Sequence, residues 1–223
     1  MALSISAIVP MRDNSERVLN KNIRSFNGKP LYHHIINNLI DCEIFESVII
    51  DTNIEAIKAE VSKKFPQVII IGRPDHLKSG ETPMNDVLHY SLQRVESKFI
   101  LQTHSTNPLL DKNTIMKSIE AFQLSYPKND SLFSVTPLQM RFWDCETKPI
   151  NHNLGELLRT QDMEPMYFEN SCIYIFNREK FLKIKNRIGI NPKMFEMSKI
   201  ESFDIDDMDD FFIAESLQKN LKK

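Results

Sequence analysis

Arg12, Arg17 and Lys21 share one short polar segment, Pro10-Met-Arg-Asp-Asn-Ser-Glu-Arg-Val-Leu-Asn-Lys-Asn22, directly after an apolar run. Three cations among small polar residues and free backbone amides suit a polyphosphate. Arginine grips phosphate through paired donors, and lysine adds a mobile point charge. Consecutive amides add a concave anion nest. Phosphoryl and nucleotidyl transfer need such a set, because charge moves onto phosphate oxygens as the leaving group departs. The segment matches neither the GxxxxGK[ST] nor the GxGxxG pattern, and no glycine precedes Gly28. On composition alone, a solvated surface loop accounts for it equally well.

A second candidate is Asp204-Ile-Asp206. Alternation along a strand over Ser202 to Asp206 would put both carboxylates on one face. Mg²⁺ takes one or two carboxylates plus substrate phosphates. Asp207, Asp209 and Asp210 follow, so an acidic helix start explains the run as well. His104 is a lone histidine with no readable Ser/His/Asp or Cys/His pairing.

The elements that must position these residues alternate. Apolar, β-branched runs read as strands at Ser4–Met11, Ser47–Thr52, Val68–Gly72, Phe99–Gln102 and Leu132–Val135. Between them, helical spacing appears over Leu31–Ile40, Ile54–Val61, Met84–Val95 and Ile115–Phe122, with Asp111 placed to cap the last. Such alternation predicts an α/β fold with a mostly parallel sheet and helices on both faces. Ligands in such sheets bind outside the carboxyl ends of the strands. That rule selects the loops after Met11, Thr52, Gly72 and Gln102.

The rhythm breaks near Pro137. The polar stretch 138–168, with the only tryptophan, Trp143, is too long for an ordinary loop and reads as an arm or lid. Strand character returns at Glu169–Phe176 and again at Ser202–Asp206, before a helix from about Met208. The expected organisation is one catalytic α/β domain from 1–137 and 169–223, interrupted by the 138–168 excursion.

Across 223 residues, 41% are hydrophobic and the net charge is −2, so no global basic field calls for nucleic acid or an anionic membrane. Cys42, Cys145 and Cys172 have no metal or redox spacing. The N-terminus reads as a first strand rather than a leader, and no apolar stretch reaches membrane-spanning length. The expectation is a soluble, cytoplasmic protein.

The segment AIVPMRDNSERVLNKNIRSFNGKPL resembles the opening of the acylneuraminate cytidylyltransferase family. Ile8, Val9, Pro10, Arg12, Ser15, Val18, Lys21, Asn22, Ile23, Phe26, Gly28, Lys29, Pro30 and Leu31 match its pattern in one register. The resemblance implies a Rossmann-like nucleotide-diphospho-sugar transferase fold. It implies transfer of CMP from CTP to the anomeric hydroxyl of a 2-keto-3-deoxy sugar acid, with release of pyrophosphate. Pro10, Met11, Arg12, Asn14, Ser15, Arg17, Lys21, Asn22, Arg73 and Thr82 would then hold the nucleotide, with Arg12 and Lys21 on its phosphates. His104, Thr106, Asn107, Arg159, Gln161, Glu169 and Asn170 would meet the sugar, and Asp204 and Asp206 would hold Mg²⁺. The excursion would make a homodimer. Departures are Glu16, where the family often has lysine, and Asp13 and Asn14, where it has glycines. Those departures bear on the phosphate contacts, and Glu16 with His104 leaves room for another acceptor, such as a phosphonate or a phosphorylated alcohol; a non-catalytic nucleotide-binding relative is the remaining alternative.

Overall fold

The computed structural model describes residues 3–13 and 15–221. Strand β1 (Ile5–Met11) is buried along its whole length, as an apolar run inside a parallel sheet should be. A two-stranded ribbon follows, β2 (Ser25–Phe26) against β3 (Lys29–Pro30), closed by Asn27 and Gly28 at positive φ. Asn and Gly tolerate that conformation best. Then come α1 (Leu31–Asp41), β4 (Val48–Thr52), α2 (Glu55–Lys64), β5 (Val68–Gly72), α3 (Met84–Leu92), β6 (Phe99–Gln102), α4 (Lys112–Ser125) and β7 (Ser131–Leu138). The chain closes with β8 (Met166–Asn177), α5 (Arg178–Ile184), β9 (Pro192–Glu196) and α6 (Met208–Leu221).

Seven strands form one sheet in the order β5-β4-β1-β6-β8-β7-β9. The pairings β4·β5, β1·β4, β1·β6 and β7·β9 are parallel, while β8 runs antiparallel to both β6 and β7. The sheet is therefore mostly parallel, as the alternating sequence predicts. One face packs on α1, α2 and α4 through Ile5, Ala7, Val9, Ile35, Ile57, Ile115 and Phe122. The other packs on α3 and α5 through Ile8, Ile49, Leu88, Leu92, Tyr174 and Phe181. Alternate residues of β1 thus serve opposite layers. Asp111 does cap α4, accepting a hydrogen bond from Asn113 N at 2.8 Å.

Three readings from sequence are corrected. Helix α3 ends at Leu92, so Val95 packs from the following turn. Residues 202–206 form no strand; the Ser202 and Phe203 amides close a turn onto the Ser198 and Ile200 carbonyls, and irregular chain leads from there to α6. The strand beside β7 is instead β9, which starts at a proline and alternates exposed with half-buried residues. An edge position tolerates both features. The excursion is the loop of a long hairpin: β7 and β8 still pair at Pro137–Tyr167 and Leu138–Met166, leaving 139–165 outside the sheet. Within it, Trp143 makes an isolated bridge to Pro149.

Candidate active site

A cavity of about 430 Å³ opens over the carboxyl ends of the strands. Pro10, Met11 and Arg12 enter it from β1, Arg73 from the end of β5, and His104, Ser105 and Thr106 from the end of β6. Ser15, Glu16, Arg17, Lys21, Asn22, Ser79, Gly80, Thr82, Met84 and Val87 complete the lining. Of the four loops chosen by the strand-end rule, three reach the cavity. The loop after Thr52 acts one step back: Asn53 Oδ1 accepts a hydrogen bond from Asp13 N at 2.9 Å.

The basic segment is held by specific ties. Asn22 donates to the Arg12 carbonyl at 3.0 Å, and its own Oδ1 accepts from Ser105 Oγ at 2.6 Å. A buried asparagine thus pins the loop to the β6 end. Arg12 lies over Gly80, where an added Cβ would sit 2.4 Å from its Nη1. Lys21 Nζ donates to the Ile205 carbonyl at 2.6 Å. Burial, the leading cause, lowers the Lys21 pKa; Asp204 and Asp206 oppose the shift, while Arg17 and Arg12 add to it. Cations concentrated this closely repel one another, and a polyanion would relieve that strain.

The acidic run divides in two. Asp207 Oδ1 accepts from the Asp209 and Asp210 amides, and Asp210 Oδ2 accepts from the Asp206 and Asp207 amides. Those two carboxylates cap α6. Asp204 and Asp206 remain beside the cavity. Asp206 pairs with Arg17 at 2.6 Å on the exposed side. Asp204 accepts hydrogen bonds from Thr106 and the Ile205 amide, yet its carboxyl is pushed up, chiefly by desolvation and also by Asp206. Asn107 Nδ2 lies 3.4 Å from both the Phe203 carbonyl and Asp204 Oδ1, which holds this segment against the β6 end. Among the described residues, no group of three or more His, Cys, Asp or Glu could hold a metal alone.

Arg73 is deeply buried. Its Nε and Nη2 converge on Asp51 Oδ1 at 2.6 and 2.5 Å, while Asp51 Oδ2 accepts from Ser91 Oγ at 2.6 Å. Asp51 was not singled out from sequence; a lone Asp inside VIID offers no signal until its partner is known.

Other expected sugar ligands lie elsewhere in the single chain. Arg159 is exposed on the excursion and forks onto Asp162 through Nε and Nη2. The neighbouring Gln161 is exposed there too. Neither lines the cavity. Asn170 is buried at the irregularity between β7 and β8, bonded to Ser134 and Thr136. Glu169 accepts from the Tyr174 hydroxyl. Asn14 falls outside the described residues. Gln102 and Arg187, which stand behind His104, were given no role from sequence: Gln102 lies in the segment that carries His104 but is buried behind it, and Arg187 belongs to no recognisable motif.

Comparison with known proteins gives the same architecture a lineage. A cytidylyltransferase family model matches residues 6–222. The post-translational flagellin modification protein B of Campylobacter coli is 28% identical over 95% of this chain and 94% of its own length. The N-acylneuraminate cytidylyltransferase of Escherichia coli O18:K1:H7 is 28% identical over the whole chain, which spans only 54% of that relative. A pseudaminic acid cytidylyltransferase of Campylobacter jejuni is 26% identical over 95% of both chains. Among solved structures, a CMP:2-keto-3-deoxy-manno-octonic acid synthetase complexed with CTP superposes with a TM-score of 0.70 over 97% of this chain and 99% of that one. At 13% identity that likeness concerns the fold. With the family match spanning nearly the whole sequence, the chain belongs to the cytidylyltransferase family as a divergent member of the acylneuraminate type, a CTP-dependent nucleotidyltransferase.

Proposed function

We propose that this enzyme transfers CMP from CTP to the anomeric hydroxyl of a 2-keto-3-deoxy sugar acid, with pyrophosphate as the leaving group. The observation that carries the reading is the cavity itself: Arg12, Arg17 and Lys21 face one strand-end pocket that also holds His104 and Thr106. Relatives named for acidic sugars support the acceptor class.

In this reading Arg12 and Lys21 grip the triphosphate and Ser15 adds a neutral donor. They hold the α-phosphorus in line with the incoming hydroxyl and neutralise charge on the departing pyrophosphate. Arg73 and Thr82 lie where the nucleoside would rest. Asp204 and Asp206 fit a divalent cation: two carboxylates repel each other, one is already pushed up, and substrate phosphates would supply the missing donors. Magnesium bound there would polarise the phosphate oxygens and lower the pKa of a coordinated hydroxyl. Asp206 must then exchange Arg17 for the metal.

The test is pyrophosphate release from CTP across a panel of sugar acids, with and without Mg²⁺. Turnover that needs both and collapses in Arg12→Ala is expected. No turnover on any acid, but turnover on a phosphonate or phosphorylated alcohol, would move the acceptor class.

We also propose that a second copy covers the excursion. Leu154, Leu157, Ile150 and Trp143 are exposed on it, and such patches mark association surfaces. Arg159 and Gln161 would then act in the partner's cavity. Light scattering should report a dimer, which Leu157→Glu weakens; a monomeric mass at micromolar concentration would end this part of the reading.

A further inference from the structure

A chain of contacts runs behind the cavity wall and ends at His104. Glu169 accepts from the Tyr174 hydroxyl, and the Arg187 guanidinium stacks on the Tyr174 ring with Cζ 3.9 Å from its centre. Arg187 Nη1 donates to Gln102 Oε1 at 2.7 Å, and Gln102 Nε2 lies 2.9 Å from His104 Nε2. Gln102 and Tyr174 are fully buried. The loop that carries Arg187 is itself clamped: Asp130 accepts from the Ile190 and Asn191 amides, and Ser131 accepts from Gly189. Gly189 is needed there, because a Cβ would lie 2.2 Å from Asp130 Oδ1. Among the described residues, Arg187 has no carboxylate within ion-pair distance.

The direction of this chain follows from the donor inventory. Arginine has only N–H groups, so the end of the Gln102 amide that meets it must be the oxygen. The NH₂ end then faces His104, with its second hydrogen toward the Thr103 carbonyl at 3.4 Å. An NH₂ group can only donate, so His104 Nε2 must accept. A neutral ring whose Nε2 accepts carries its proton on Nδ1. His104 lines the cavity, and no described residue accepts a hydrogen bond from Nδ1.

We propose that Arg187 is a positioning residue that locks His104 in the Nδ1–H tautomer, making it a one-way hydrogen-bond donor to an oxygen of the second substrate. That the second substrate is a sugar acid rests on the function proposed above. Charge supports the same state: burial, then Arg187 and Lys21, push the His104 pKa down to about 4, so the ring stays neutral at physiological pH. Burial lowers the Arg187 pKa, and Tyr174 and Glu169 oppose that shift and favour its charge. A donor that neither titrates nor reverses selects for a lone pair and against a competing N–H or protonated group. It also explains why histidine can stand here without acting as a base.

Nitrogen NMR of the histidine rings tests this directly, with His104 assigned by His104→Phe. A pyrrole-like Nδ1 and a pyridine-like Nε2 are expected at neutral pH. Arg187→Met frees the Gln102 amide to turn, so its His104 should show mixed tautomers and titrate closer to the ordinary histidine value. Arg187→Lys keeps a donor to Gln102 and should restore the single tautomer. Unchanged resonances of the buried His33 and His34 report an intact fold. In turnover, Arg187→Met should raise KM for the sugar acid by about tenfold, the worth of one oriented hydrogen bond, and leave KM for CTP unaltered. A wild-type His104 protonated on Nε2, or an Arg187→Met ring still in one tautomer, would overturn the proposal. An acceptor panel without turnover would sink the sugar-acid reading while leaving the tautomer result standing.

Discussion

Lys21→Met is expected to lower kcat/KM for CTP by about a thousandfold, roughly 4 kcal/mol of transition-state stabilisation. Lys21 is the cation that both sides of the site share. It comes from the loop after β1, donates to the Ile205 carbonyl and sits in the fields of Asp204 and Asp206. Methionine keeps most of its volume and removes the charge. The triphosphate then loses a counter-charge in a partly desolvated cavity, where such a charge counts for more than in water. Asp204 also loses a field that now opposes its upward shift, so its carboxyl should protonate more readily. Lys21→Arg should recover only part of the rate, because a planar fork cannot follow the geometry of an ammonium. Steady-state kinetics with calorimetry of CTP binding checks the claim. A loss of threefold or less would show that Lys21 supports the loop and not the phosphates.

Asp51→Asn should destabilise the fold by about 3–5 kcal/mol, because it leaves the Arg73 guanidinium buried without its counter-charge. Side-chain exposure is 3% for Arg73 and 0% for Asp51, so water cannot compensate. The amide would also turn one donor toward either Arg73 or Ser91, both of which donate to the carboxylate now. Arg73→Met strands the opposite charge and should cost a similar amount. The double variant Asp51→Asn with Arg73→Met should be much less damaged than the two losses added together. Urea denaturation measures all three. A loss below about 1 kcal/mol in Asp51→Asn would mean the guanidinium finds another partner or reaches water. Because Arg73 also lines the cavity, CTP binding should weaken with stability if the nucleotide rests there as proposed.

Sequence pattern revealed the parallel half of the fold well, for a physical reason. Strands buried on both faces, such as IVP in β1 and VII in β4, must be continuously apolar, and that signal survives without knowledge of neighbours. The half of the sheet beyond β6 was less readable. Strand β9 lies at an edge, begins with Pro192 and buries little, so nothing in PKMFE demands a strand until β7 stands beside it. SFDID looked like a strand but is an irregular approach to a helix, whose acidic cap is supplied by Asp207 and Asp210. The cations that line the cavity were legible because Arg12, Arg17 and Lys21 sit close together in one loop of the sequence. The second layer was not. Asp51, Gln102 and Arg187 lie far apart in sequence and gain meaning only through partners that the sheet brings within hydrogen-bonding distance.

The ties between the β1 loop and residues 205–206 also bear on when the enzyme comes into being. Arg17 meets Asp206 and Lys21 meets Ile205 across more than 180 positions of chain. A nascent chain can assemble β1, β4, β5 and β6, with their helices, long before those partners emerge from the ribosome. During that interval the loop has its cations but lacks the acidic segment that holds and balances them. If the cations of the loop act on the nucleotide as proposed, competence for nucleotide chemistry should wait on residues 204–206, and removing them should silence turnover even where most of the sheet still folds.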